Sequence, residues 1–412
     1  MGTGVEPGGT GVAHRAATPS LLAFSAVMTA AMTVATLLPF ALGALAPFVT
    51  EEFDLTRSRF GTLTTALFVV AAILSPAAGR LSDRLSGRLL VSVNFLAAGF
   101  AFVVLAVAGG YPALLLGCVI AGLPQALSNP LTNALVSRHV RPGRQGVVIG
   151  VKQSGVQIGV ALAGLVLPAS AVVLGWRATV LAAAGVIVLL AAVSWPVVGA
   201  DRPVAGPEPE GGRTSIWPTV RWLSAYAVLM GASGAAVGTY LPLFGYEELG
   251  MDPGQAGRVA AVTGIFGVIS RIVWGWLSER ATRVAFPLGL LAAGAVAAHV
   301  MILAAPGVGP WLLWAGAVAF GSTAAAWNSV GMLAILRLLD PADAGRASGW
   351  ILTAFFIGFI VSPPLFGYVV DVTGEYVLAW SGITLAVTLA GLLCLAWILV
   401  AGRSERRSAA RV

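Results

Sequence analysis

Gly79-Arg80-Leu81-Ser82-Asp83-Arg84-Leu85-Ser86-Gly87-Arg88 decides the fold, because a degenerate copy, Gly275-Trp276-Leu277-Ser278-Glu279-Arg280, follows at a fixed offset (275 − 79 = 196). Each stretch closes an apolar run long enough to cross a bilayer and opens a short polar loop. The same offset pairs Glu51-Glu52 with Glu247-Glu248 and Gly61 with Gly257. Further on the offset becomes 321 − 122 = 199, pairing Gly122 with Gly321, Asn129 with Asn328 and Arg138 with Arg337. Matches that stay in step over most of the chain are an internal repeat. With six apolar segments between partners, both copies have the same membrane orientation.

The composition around these stretches fits. Of 412 residues, 58% are hydrophobic and 10% charged, against about 25% charged in soluble domains. Mean hydropathy is +0.90. A soluble domain, a disordered chain and a single anchor are excluded. Shared among twelve units, the chain gives about 34 residues each, one membrane helix of roughly 20–25 residues plus a loop. The fold expected is an all-α polytopic membrane protein: twelve transmembrane helices in two six-helix pseudo-repeated bundles. Helices are predicted at 20–48, 59–79, 88–109, 112–138, 145–173 and 177–199, then at 219–245, 256–277, 285–304, 310–337, 346–370 and 377–401. Residues 1–19, rich in Gly, Thr and Pro without a signal-peptide apolar core, read as a disordered cytoplasmic tail. The bundles are 20–199 and 219–401, joined by a Pro-, Gly- and charge-rich cytoplasmic linker at 200–218. Residues 402–412 form a second cytoplasmic tail.

Arginine sets the orientation. With the N-terminus cytoplasmic, eighteen arginines fall in cytoplasmic segments, against Arg57, Arg59, Arg177 and Arg258 outside. The positive-inside rule then puts both termini in the cytoplasm, and the chain in the plasma (inner) membrane. A sequence pI near 10 thus reflects topology, with no nucleic-acid partner implied. Cys118 and Cys394 lie in apolar runs and indicate neither disulfide nor metal cluster. No cofactor motif and no catalytic set stand out. Gly231-Ala232-Ser233-Gly234 with His299 resembles an intramembrane protease motif, but one tetrapeptide in a chain with 51 glycines is weak, and His299 reads as a packing residue.

The quoted loop resembles the G-x-x-x-D-R-x-G-R signature of the major facilitator superfamily of secondary transporters, with one extra residue before Gly87. The resemblance covers nearly the whole chain and implies alternating access around a central site. It also implies that Gly79, Asp83, Arg84, Gly87 and Arg88, with Gly275, Glu279 and Arg280 of the copy, gate the cytoplasmic side, latching onto the eleventh helix near Gly345-Arg346. A carboxylate at one helix end accepts from the free N–H groups of a neighbouring helix start. Arg84 and Arg88 reach other helix ends or anionic lipid headgroups. The plainer alternative is a topology signal made of arginines.

Lys152 is the sole lysine, about eight residues into the fifth helix and so roughly 12 Å deep; insertion scales charge such a residue about 2.5–3.5 kcal/mol. Arg271 lies at similar depth in the eighth helix. No carboxylate falls well inside a predicted helix, so a bound anion is the expected counter-charge, with Gly155 and Gly159 leaving room beside the lysine. The alternative is structural pairing with backbone carbonyls. An arginine in the eighth helix also resembles the oxalate and monocarboxylate carriers, where a basic residue binds the substrate carboxylate. In this family the first, fourth, seventh and tenth helices line the cavity. They carry Thr29, Thr33 and Thr36; Gln125, Asn129 and Thr132 or Asn133; Ser233, Thr239 and Tyr240; and Ser322, Trp327 and Asn328. The expected substrate-binding set is Lys152, Arg271, Asn129, Gln125, Asn328, Trp327 and Tyr240, although polar groups here also serve helix–helix hydrogen bonding. The expected protein is a monomeric secondary transporter of a small anion. The alternatives are export of a drug or secondary metabolite, a non-transporting receptor and a membrane enzyme.

Overall fold

The computed structural model describes residues 20–141, 143–199, 217–281, 283–339 and 341–409. The 1–19 tail, the 200–216 part of the linker and the last three residues lie outside the described residues.

The first half contains α1 (Leu21–Ala44), a short α2 (Ala46–Phe53), α3 (Arg57–Arg84), α4 (Gly87–Ala106), α5 (Tyr111–His139), α6 (Gln145–Leu174) and α7 (Trp176–Val197). The second contains α8 (Trp217–Glu247), α9 (Pro253–Glu279), α10 (Ala285–Val308), α11 (Pro310–Ser322), α12 (Trp327–Leu338), α13 (Pro341–Thr373) and α14 (Val377–Ala409). Twelve spans are long and apolar enough to cross a membrane, α11 and α12 together making the tenth. Apolar side chains cover the outside, among them Leu22 at 83% and Val173 at 80% exposure. That is the surface a lipid environment requires of a bundle, since lipid solvates apolar side chains and backbone groups must pair internally.

Local chemistry sets the boundaries. Side chains of Ser20, Thr56, Ser86 and Asp252 cap the first turns of α1, α3, α4 and α9, taking N–H groups that a helix start leaves unpaired. Three boundaries differ from expectation. The first helix stops at Ala44, and α2 restarts as a separate eight-residue helix capped by Asp54 in left-handed conformation (φ 47°). The tenth span breaks into α11, a 3₁₀ turn at Ala324–Ala326 and α12, where 310–337 was expected to be continuous. The helix α14 runs on to Ala409, into the stretch expected to be a tail.

The halves pack alike. In the first, α1 lies against α6, α3 against α5, and α4 against α7; in the second, α8 lies against α13, α9 against α11 and α10 against α14. The halves meet through α3 with α13, α6 with α9, and α1 with α8. One face of the molecule carries the arginine-rich loops, and the far face lies opposite it.

Candidate functional site

Glycine spacing shows where the halves touch. Eighteen residues make five whole turns at 3.6 per turn, so residues eighteen apart share a helix face. Gly61 and Gly79 stand so on α3, Gly349 and Gly367 on α13, Gly146 and Gly164 on α6, and Gly257 and Gly275 on α9. The far-face member of each pair is in tight contact. A Cβ on Gly61 would lie 2.5 Å from the Pro363 carbonyl, on Gly367 2.3 Å from the backbone of Arg57, and on Gly164 2.4 Å from the Gly257 carbonyl. At Gly79, Gly349, Gly146 and Gly275, nothing among the described residues lies within 4 Å. The halves are therefore closed at the far face and splayed at the arginine-rich face.

Lys152 and Arg271 lie at nearly the same depth, about 10 and 12 Å from the arginine-rich ends of α6 and α9 at 1.5 Å per residue. The Lys152 ammonium, wholly buried, donates to Thr132 Oγ1 at 2.7 Å and reaches Asn129 Oδ1 at 3.4 Å, both on α5. Gln153 Nε2 donates to the same Asn129 oxygen at 3.0 Å. The Gln153 carbonyl in turn accepts from Arg271 Nη1 at 2.5 Å, and Arg271 Nε donates to Ala325 O in the broken tenth span at 3.2 Å. One polar chain thus runs from Lys152 through Asn129 and Gln153 to Arg271, crossing between the halves. Among the described residues no carboxylate pairs with either cation. Of five guanidinium and three ammonium N–H donors, four are used, so spare donors remain on both groups.

The room beside Lys152 is not left open. Gly155 and Gly159 pack against Thr29 and Thr33 of α1, and Thr33 Oγ1 donates to Gly155 O at 3.0 Å. That contact seals the lysine within its own bundle. Gln125 lies one helical turn from Asn129, its Oε1 buried without a hydrogen-bond partner among the described residues. Trp327 begins α12, two residues from Ala325, and packs on Phe355 and Tyr226 at ring distances of 5.0 and 6.2 Å. Asn328 is half-buried beside it. Tyr240 is not in this group. Its hydroxyl sits 2.7 Å from both Arg57 O and Pro363 O in the far-face closure.

The loop residues divide. Arg88 Nε donates to Val198 O at 2.8 Å and stacks over Trp195, holding the end of α7 within its own half. Arg280 stacks over Trp276 at 3.6 Å. Asp83 and Arg84 are exposed, and Asp83 has no hydrogen bond or ion pair among the described residues. Arg138 and Arg337, paired by the repeat but with no role assigned from sequence, pin the two loops. Arg138 donates to Ser82 O at 2.6 Å, and Arg337 to Ser278, Glu279 and Ala281 carbonyls at 3.0, 2.5 and 3.1 Å. Ser270 and Trp274, also unforeseen, donate from α9 to Gly321 O and Ser322 O at 2.7 and 2.8 Å.

Ser233 and His299 meet at 3.4 Å, both wholly buried. His299 Nδ1 lies 2.7 Å from Ala295 O. A carbonyl only accepts, so Nδ1 carries the proton and Nε2 accepts from the serine hydroxyl. With Phe320 and Trp380 packed about the imidazole, the pair ties two helices together inside the bundle.

The sequence profile described as Major Facilitator Superfamily matches residues 20–327. The hexuronate transporter of Bacillus subtilis is 22% identical over 82% of this chain and 85% of its own length. The nitrite extrusion protein of the same organism is 23% identical over 85% and 87%. Among solved structures, a bacterial homologue of the human lysosomal transporter Spinster superposes with a TM-score of 0.73 at 17% identity, covering 93% of this chain and 96% of that one. With the repeat, the twelve spans and a profile match over well more than half its length, the chain belongs to the major facilitator superfamily.

Proposed function

We propose that this transporter moves a small organic or inorganic anion, held between Arg271 and the buried Lys152 network. The observation that carries the reading is the Lys152–Asn129–Gln153–Arg271 chain: two cations at one depth, joined across the halves, with spare donors and no carboxylate partner among the described residues. An isolated cation at such depth is costly, and an anion in the site supplies the missing charge. Two relatives named for anions, hexuronate and nitrite, agree with this reading. Arg271, the more accessible of the two, makes the first contact, and its planar fork suits a carboxylate; Trp327 and Asn328 stand next to its Ala325 anchor. With the arginine-rich face cytoplasmic, the conformation described is open to the cytoplasm.

Uptake and ligand-induced thermal shift of purified protein against a panel of carboxylates, inorganic anions and cations test the proposal. Selective stabilisation by anions, lost in Arg271→Met, is expected. A cationic substrate, or unchanged transport by Lys152→Met, overturns it.

A further inference from the structure

The antiparallel pair of α3 and α13 carries chemistry at its far end that the anion site does not use. Asp371, near the C-terminus of α13, places its carboxylate on the first turn of α3. Oδ1 accepts from Arg57 N–H and Oδ2 from Ser58 N–H, both at 2.8 Å. These donors have no partner within their own helix, and the helix dipole adds to the attraction. The third, Arg59 N–H, is served by Thr56 of its own half. The start of α3 is therefore completed by a residue of the other bundle. Around it, Arg57 pairs with Glu247 of α8 at 3.0 Å, and Tyr376 donates to Glu247 at 2.6 Å.

The register of the pair extends this contact to the opposite end. Gly61 faces Pro363 and Gly367 faces Arg57. Beyond Gly61, toward the middle of the pair, Thr65 Oγ1 donates to Ile360 O at 2.7 Å. One residue forward on α3 thus answers to one residue back on α13. Asp83 lies as far beyond Arg57 as Gly345 lies before Asp371 (83 − 57 = 371 − 345 = 26). The same register brings Asp83 to within a turn of the start of α13, the mirror of Asp371 on α3. In this conformation Asp83 is exposed and unengaged among the described residues, and nothing lies within 4 Å of a Cβ at Gly345. Midway along, the Phe68 ring of α3 packs on Phe359 and Phe356 of α13 at 4.3 and 5.5 Å. Two long helices in contact at one end and splayed at the other pivot about such a midpoint, so closing one end opens the other.

We propose that Asp371 is a positioning residue of the transport cycle. Its carboxylate on the N-terminus of α3 holds the far face shut, in alternation with Asp83 on the start of α13. The pair is latched at one end at a time. This rests on alternating access and not on the identity of the solute.

The test uses the full chain with two cysteine reporters, the native Cys118 and Cys394 being buried. Thr64→Cys reports the far end, where Thr64 is buried against Thr239 of the other half at 3.3 Å. Gly349→Cys reports the arginine-rich end, where its side chain enters open space. Maleimide labelling rates are read without added solute. Asp371→Asn is expected to raise the Thr64→Cys rate by roughly tenfold, an equilibrium change of about 1.4 kcal/mol, and to lower the Gly349→Cys rate severalfold. Asp371→Glu, which keeps the charge, is expected to recover most of both. Adding Asp83→Asn to Asp371→Asn is expected to bring both rates back toward the starting values. Rates that rise together at both reporters, or Asn and Glu variants that behave alike, overturn the proposal. Gly61→Trp, a wedge against Pro363, separates the two levels. If the wedge moves the reporters oppositely and Asp371→Asn does not, the latch is wrong and alternation stands. If neither moves them, alternation itself fails. A wrong anion assignment leaves every one of these rates unchanged.

Discussion

The fourth and tenth spans hold equivalent places in the repeat, yet α5 runs unbroken through Pro124 and Pro130 while the tenth span breaks at Thr323–Ala326 without a proline. The neighbouring helix makes the difference. Carbonyls of Gly321, Ser322 and Ala325 around the break are taken by Ser270, Trp274 and Arg271 of α9. The matching positions on α3 are Leu74, Ser75 and Ala78 (274 − 78 = 196). Of these, only Ser75 has a side-chain donor, and its hydroxyl turns back to Ala71 O of its own helix at 2.6 Å. In a membrane a helix breaks where a neighbour supplies donors for the freed carbonyls, because no water does so. Proline alone does not choose the place. Arg271 consequently has two duties, bracing the break and, on the reading proposed above, meeting the anion, whereas Lys152 is held by side chains of its own half.

The largest effect that sharpens this contrast is expected from the two cations. Arg271→Met and Lys152→Met should each weaken anion binding by about 2–5 kcal/mol, as removal of one side of a buried charge pair does. The double variant should lose less than the sum, measured by ligand-induced thermal shift. Their melting temperatures should part. Arg271→Met leaves the Ala325 and Gln153 carbonyls short of donors, at about 1–3 kcal/mol for each group left unsatisfied, and should melt lower. Lys152→Met should melt at the same temperature or higher, because Asn129 keeps Gln153 and Thr132 keeps the Ser128 carbonyl at 2.6 Å. Equal melting shifts in the two variants would erase the distinction drawn here.

Next in size are the donors to the break. Trp274→Phe and Ser270→Ala should each cost about 1 kcal/mol in stability. Neither should alter anion affinity as much as Arg271→Met. The matching substitution Ser75→Ala on α3 should be close to neutral. If Ser75→Ala costs as much as Ser270→Ala by thermal melting, local helix chemistry and not donation across helices governs both spans.

The smallest effect comes from another point where the halves diverge. Glu52 is clasped by Arg177 at 2.6 Å and by the Trp176 indole, whereas its counterpart Glu248 has no such partner among the described residues. Burial raises the Glu52 pKa, but the Trp176 and Arg177 hydrogen bonds and the Arg177 charge outweigh it and hold the group below its ordinary value. A depressed carboxylate contributes stability that is full above its unfolded pKa, near 4.5, and is lost as pH falls through the lower folded value. The pair is well exposed, so the contribution stays below about 1 kcal/mol. Melting curves of wild type and Glu52→Gln should therefore differ slightly at pH 7 and converge as pH falls from 4.5 through the lower folded value. A difference that persists in acid would show that the Trp176 contact acts without the charge.

Sequence order carries what is periodic. Twelve apolar runs and an in-step repeat from Glu51 to Arg337 define both halves, and Lys152 and Arg271 stand out because charge is rare at their depth. What depends on a neighbouring helix is not written along the chain. Gly155 beside Lys152 reads equally as room for a ligand or as a seat for α1, and α1 takes it. Tyr240 reads as a cavity residue, yet it completes the far-face closure with Arg57 and Pro363, residues distant in the chain. Asp371 looks like any acid at a helix end until its partner helix is in place. The break in the tenth span escapes notice because its cause, Ser270 and Trp274, lies some fifty residues upstream.

One consequence concerns chemical labelling. Lys152 is the single lysine in 412 residues, and its ammonium is wholly buried. An amine-directed ester therefore finds one side chain in the entire protein, and finds it only when the helices packed around it part far enough to admit the reagent. Apart from the α-amino group, each labelled molecule records such an opening. The amount of label gained with time is then a direct clock for an otherwise silent fluctuation, readable by intact mass without introducing any probe.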